Sequence, residues 1–173
     1  MKNLKQIMLL VMTVAMVSIT SCSKDDDGGG GGQAGEGTIT AKVNGTQVTT
    51  LEITSVANTV SGGGQTTLTL QGNTSSQAFN LIIFGYEGVG TYELSDDNVF
   101  ISASYTEVNT NDPLNSQIWN APFQDSGVVG EIKVSEDANG KVKGTFHFNA
   151  KNVEDGSMRN ITDGSFNLDV TEN

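Results

Sequence analysis

The sequence predicts an all-β domain, an antiparallel meander of about 8–10 short strands forming a β-sandwich or a flattened β-barrel. Three observations carry that expectation. From Thr38 onward, apolar and polar residues alternate at period two in segment after segment, the mark of strands with one buried face. Asn-Gly, Asp-Gly and Gly-Gly pairs separate these segments and favour tight turns. Beyond Cys22 no segment of about ten residues shows helical periodicity, and the mix is rich in Thr, Val, Ile, Gly, Asn and Asp.

The first strand is Thr38-Ile39-Thr40-Ala41-Lys42-Val43, turned by Asn44-Gly45. The chain resumes through Val48, Leu51 and Ile53 and breaks at Gly62-Gly63-Gly64. Thr67-Leu68-Thr69-Leu70 alternates again and turns at Gly72-Asn73. Phe79, Leu81 and Ile83 form one face of the next strand, with Ile82 and Phe84 on the other, so this strand should be central or covered. Thr91-Tyr92-Glu93-Leu94 follows, and Ser95-Asp96-Asp97-Asn98 turns the chain. Val99, Ile101, Ala103 and Tyr105 then share a face opposite Phe100, Ser102 and Ser104.

The second half repeats this logic. A strand over residues 128–135 meets a turn at residues 136–140. Val142, Gly144, Phe146 and Phe148 point one way, with Lys141, Lys143, Thr145, His147 and Asn149 opposite. Asp155-Gly156 is a turn, a short strand covers residues 158–162, and Asp163-Gly164 turns the chain once more. Phe166, Leu168 and Val170 make the last inward stripe. The apolar residues per strand are few and often small, which favours a flattened barrel or sandwich over one with a roomy cavity.

The N-terminus reads as an address. Lys2 and Lys5 precede an uncharged run over residues 7–18, shorter than the roughly 20 apolar residues that span a bilayer. Ile19-Thr20-Ser21-Cys22 closes it and resembles the bacterial lipobox, whose cysteine is acylated, with palmitate among its chains, and becomes residue one. Residues 1–21 are thus expected to be a lipoprotein signal peptide and Cys22 the lipidation site. Several acyl chains suffice for stable membrane attachment. Residues 22–37 read as an acidic, glycine-rich tether with nothing larger than Ala34 to bury. Its fifteen residues after Cys22 reach about 20–23 Å. Lys24-Asp25-Asp26-Asp27 resembles the signal that sends Bacteroidota lipoproteins to the outer face of the outer membrane. Residues 38–173 remain as one all-β domain.

Charge narrows the partners. Loss of residues 1–21 removes two lysines and leaves 7 basic and 20 acidic residues, a formal charge of −13. That excludes an electrostatic nucleic-acid interface and makes anionic lipid head groups repulsive. The one cysteine cannot pair within its chain.

Several segments resemble a family of small uncharacterised Bacteroidota lipoproteins. They are Thr-Ala-Lys-Val-Asn-Gly-Thr at 40–46, Gly-Val-Gly-Thr-Tyr-Glu-Leu at 88–94 and Ala-Ser-Tyr at 103–105. Gly-Thr-Phe-His-Phe-Asn-Ala at 144–150 and Ile-Thr-Asp-Gly-Ser-Phe-Asn at 161–167 complete the pattern. Members often carry a tryptophan soon after the first Asn-Gly, where this chain has Val48-Thr49. The resemblance implies a lipid-anchored β domain and supplies no catalytic residues.

The residues themselves offer little catalytic chemistry. His147, the one histidine, faces away from Phe146 and Phe148 and has no nucleophile-elbow motif to serve. One His and scattered carboxylates make a weak zinc set. Asp96-Asp97-Asn98 and Asn109, Asn111 and Asp112 lack the spacing of a calcium loop and suit turns. No enzyme activity, cofactor or metal is therefore expected. Residues 107–127 form the long connection, with Asp112-Pro113, Ala121-Pro122 and the one tryptophan. Trp119 beside Asn120, Phe123 and Gln124 would suit a sugar ring if exposed; otherwise Trp119 and Phe123 plug the end of the fold. The expected function is a binding module facing the cell exterior, with a glycan or a protein partner. The alternatives are a structural envelope lipoprotein without a small ligand and a calycin-like barrel around an apolar ligand.

Overall fold

The computed structural model describes residues 33–172; the expected signal peptide, the expected lipidation site Cys22 and the first part of the expected tether lie outside the described residues. Eleven strands are present: β1 Thr38–Val43, β2 Thr46–Thr49, β3 Val56–Gly62, β4 Gln65–Asn73, β5 Gln77–Phe84, β6 Gly90–Ser95, β7 Ile101–Glu107, β8 Gln117–Ala121, β9 Val128–Ala138, β10 Lys141–Lys151 and β11 Met158–Glu172. They pair in the order β2-β1-β11-β3-β4-β5-β7-β8-β10-β9-β6, and a further β10–β11 ladder closes the circuit. The result is two layers, β2-β1-β11-β10-β9-β6 and β3-β4-β5-β7-β8.

Two strands join the layers because each is longer than its neighbours. Along one edge, β11 pairs antiparallel with β1 through Ile161–Asn167 and then parallel with β3 from Val170 to Glu172. In the same way β10 leaves β9 after Phe148 and meets β8 where Lys151 lies opposite Asn120. The expected all-β class, a sandwich or flattened barrel of mostly antiparallel strands, stands. Its connections depart from a simple meander, since β5 pairs with β7 while β6 crosses to β9.

Two-residue turns fall where the sequence places them. Asn44-Gly45, Gly63-Gly64 and Asn139-Gly140 all have positive φ at both positions, the backbone that matches strand twist in a hairpin. Asp163-Gly164 differs. Asp163 has φ 51°, yet it sits inside β11 as a bulge where both the β1 and β10 registers slip. The strands expected at 158–162 and 166–170 are therefore one. Ladders on both edges hold it straight, and Lys42 Nζ meets the bulged Asp163 carboxylate at 2.9 Å.

Between the layers lies one apolar core. Phe79 of the five-stranded layer meets Phe146 of the other edge-on, with ring centroids 6.0 Å apart. Three phenylalanines each lie directly across the ladder from a glycine: Phe148 from Gly130, Phe166 from Gly144, and Phe146 from Gly164. A Cβ on Gly144 would stand 2.0 Å from the Lys133 carbonyl oxygen and 2.4 Å from Phe166 Cζ. The missing side chains make room for rings lying over the neighbouring strand. These buried rings, with Leu68, Leu70 and Leu81, fill the space between the sheets.

Order begins upstream of Thr38. Ala34 is buried; its N–H donates to Ser165 Oγ at 2.7 Å, and the Gly37 N–H donates to the Asn167 carbonyl at 2.8 Å. Lys141 is paired with Asp169 at 2.8 Å and also with Glu36, and these hydrogen-bonded pairs raise its pKa. Residues 34–37 are thus pinned to the outer surface of β10 and β11. Composition carried no hint of this, because backbone groups make most of the contacts.

Candidate binding face

The four residues picked from the long connection do not converge. The middle of the expected loop is strand β8, so its side chains alternate between core and solvent. Trp119 points inward and is 2 % exposed. Its Nε1–H donates to Ser157 Oγ at 2.9 Å, Tyr105 lies 5.8 Å away ring to ring, and the Arg159 guanidinium covers the indole at 3.9 Å. Arg159 is held in turn by Glu107 at 3.2 Å. Burial first, and then the Glu107 carboxylate, push the Tyr105 phenol up to about 12. Of the two roles expected for the indole, the buried one, packed into the core, is therefore the one it takes. Asn120, next in the strand, points out; Gln124 is exposed, and half-buried Phe123 lies under the Lys151 ammonium at 5.7 Å.

Phe123 lines an open groove of about 510 Å³ on the six-stranded side, together with Met158, Glu93, Glu131, His147 and Asn149. Glu93, Glu131 and His147 face one another in register across β6, β9 and β10. Nothing basic other than His147 lines the groove. The oxygen-rich turns are engaged internally: Asp96 Oδ2 accepts the Ser126 N–H, and Asn109 Oδ1 accepts those of Asn111 and Asp112. Among the described residues no group of three or more His, Cys, Asp or Glu side chains is arranged to hold a metal ion.

The outer face of the five-stranded layer has a different character. Residues paired across antiparallel strands share a face, so the register reads out its rows. Gln71, Asn80, Ser104 and Asn120 form one row across β4, β5, β7 and β8. Asn58, Thr69, Ile82 and Ser102 form the next, and Val60, Thr67 and Phe84 the one beyond. Within these five strands Glu107 alone is charged, and it turns inward to Arg159. The other layer carries the ion pairs of Lys42, Lys141 and Lys143.

Hydrogen bonding sharpens the contrast. Among the described residues, the side chains of Asn58, Thr67, Thr69, Gln71, Asn80, Ser102, Ser104, Thr106 and Asn120 make no hydrogen bond to the rest of the chain. The face therefore presents nine uncharged polar side chains with their donors and acceptors unspent. At its edge the Phe84 and Phe100 rings stack, with centroids 5.2 Å apart and planes 28° apart, and are 42 % and 60 % exposed. The sequence reading found Asn120 but missed the rest. Their signal was that the outward positions in β3, β4, β5 and β7 are never charged, being chiefly Ser, Thr, Asn or Gln, and apolar at Val56, Val60, Ala78, Ile82 and Phe84.

Fold and surface together define the class, a closed two-layer β-sandwich whose distinctive surface is an uncharged face rich in hydrogen-bonding groups. The chain belongs to the DUF6252 family, a domain of unknown function, whose profile matches residues 36–168. No curated protein and no solved structure matches it.

Proposed function

We propose that this chain is a non-catalytic binding module, lipid-anchored at Cys22 to the outer membrane, which recognises a glycan at the cell surface through the outer face of its five-stranded sheet. The single observation carrying this reading is that charge-free face with nine unspent polar side chains. Soluble protein surfaces ordinarily carry roughly a quarter or more charged residues. Depletion of charge is instead the compositional mark of a recognition surface. The route of the tether supports the same orientation. Residues 34–37 lie on the outer surface of the six-stranded layer, so a lipid at Cys22 draws that side toward the membrane and leaves the five-stranded face directed away.

Two measurements test the reading. Cys22→Ser should move the protein from the membrane to the soluble fraction, and antibody should reach the wild type on intact cells. Unchanged fractionation or an inaccessible protein contradicts the anchoring half. Binding to immobilised glycans should be lost on Ser104→Asp and kept on His147→Ala, which alters the groove. The reverse pattern would transfer the function to the groove.

A further inference from the structure

The geometry points to one ligand class: an uncharged, extended glycan chain lying across the strands of the five-stranded sheet, with the Phe84–Phe100 stack seating a sugar ring at its edge. This rests on the binding-face reading and names what that face takes. Charge decides the first property. The chain carries a net −11, so its field opposes polyanions, and the face has no cation to hold a uronate, sulfate or phosphate. Polycations find no carboxylate here either, since Glu107, the one acid in these five strands, turns inward to Arg159.

Shape decides the second. Strands lie about 4.8 Å apart, so the row from Gln71 to Asn120 extends roughly 14 Å, longer than a single sugar ring. A row of side chains across an open sheet face suits a chain laid along it. Hydrogen-bond inventory decides between glycan and protein. Amides and hydroxyls both donate and accept, as sugar hydroxyls do. A rigid protein surface would leave many of the nine groups buried and unpaired, at about 1–3 kcal/mol each. A polyhydroxylated chain with its bridging water satisfies them. The Phe84 and Phe100 rings, in the row that runs through Thr67 to Val60, supply the apolar contact that the C–H face of a sugar requires.

The test is affinity electrophoresis of the processed chain, purified in detergent, through gels containing linear neutral glucan, mannan or xylan, polygalacturonate, or dextran sulfate. At least one neutral polymer should retard it, with an affinity unchanged within about twofold from roughly 50 to 500 mM salt. Paired Asn80→Asp and Ser104→Asp should weaken that binding about tenfold or more, and Phe84→Ala measurably. Both aspartates sit at outward positions, and Asn120→Asp at an exposed edge position repeats the test should the pair fail to fold. Retardation chiefly by the polyanions overturns the ligand class and leaves a glycan-binding face. A protein partner captured in an Asn80- and Ser104-dependent way overturns the glycan and leaves the face. No partner of either kind sensitive to these positions overturns both.

Discussion

Replacing Gly144 by Ala probes the glycine–phenylalanine pairing that lets the two sheets close. Gly144 lies on the inner face of β10, opposite Phe166 of β11 and Val134 of β9. The added methyl would sit 2.0 Å from the Lys133 carbonyl oxygen and 2.4 Å from Phe166 Cζ, so both must retreat by more than an ångström. The ring can rotate, but the carbonyl belongs to the β9 backbone. Overpacking of this kind costs about 1–3 kcal/mol, and opening the local ladder adds about 1 kcal/mol per hydrogen bond lost. The expected loss is about 3–4 kcal/mol, against a typical total of about 5–15 kcal/mol. In thermal terms Tm should fall by roughly 10 °C. Urea unfolding of Gly144→Ala, Phe166→Leu and the double variant separates the two contacts. The double variant should regain about 0.5–1 kcal/mol relative to additivity, because only the ring contact is relieved. Gly62→Ala is the control, with nothing within 4 Å of its Cβ and an ordinary φ. A Gly144→Ala protein within about 0.5 kcal/mol of wild type would refute this packing.

Trp119, the one tryptophan, should emit at short wavelength and resist quenchers, and Trp119→Ala should cost about 3–5 kcal/mol; a red-shifted, quenchable signal would put the indole in water. Arg159→Ala should shift that emission to the red by removing the guanidinium over the ring, while an unchanged spectrum would deny it a covering role. The Tyr105 phenol, raised to about 12 from 10.0 in the unfolded chain, keeps its proton longer in the folded protein, so stability is full below pH 10 and is lost as pH rises toward 12. The fall should be roughly 2 kcal/mol from this group and should flatten in Tyr105→Phe; equal alkaline slopes in both proteins would remove Tyr105 from the account. Lys141→Ala should loosen residues 34–37, read as faster amide exchange at Gly37, with no change expected in the core.

Local chemistry was legible from residues alone. Asn44-Gly45 turns because both positions need positive φ, and Phe79, Leu81 and Ile83 share one face because a strand alternates. Long-range pairing was not. Nothing near Asp163-Gly164 distinguishes a bulge from a turn, since that depends on β1 and β10 continuing on either side. β8 was hidden because its run is short and follows a proline-containing segment, so Trp119 read as a loop residue of undecided exposure. The binding face was hidden for a related reason. Gln71, Asn80, Ser104 and Asn120 are scattered in sequence and form a row only after four strands are placed in register. Their lack of charge was visible strand by strand, but its meaning required knowing that they share a face.

Amide chemical-shift mapping on the isotope-labelled processed chain, titrated with a linear neutral oligosaccharide chosen by the electrophoresis, tests the binding face most directly. Shifts should concentrate on β4, β5, β7 and β8, with Asn80, Ser102, Ser104 and Asn120 among the largest and Phe84 and Phe100 marking the edge. Shifts clustered on Phe123, Glu131, His147 and Asn149 would contradict the account by placing recognition in the groove on the opposite layer.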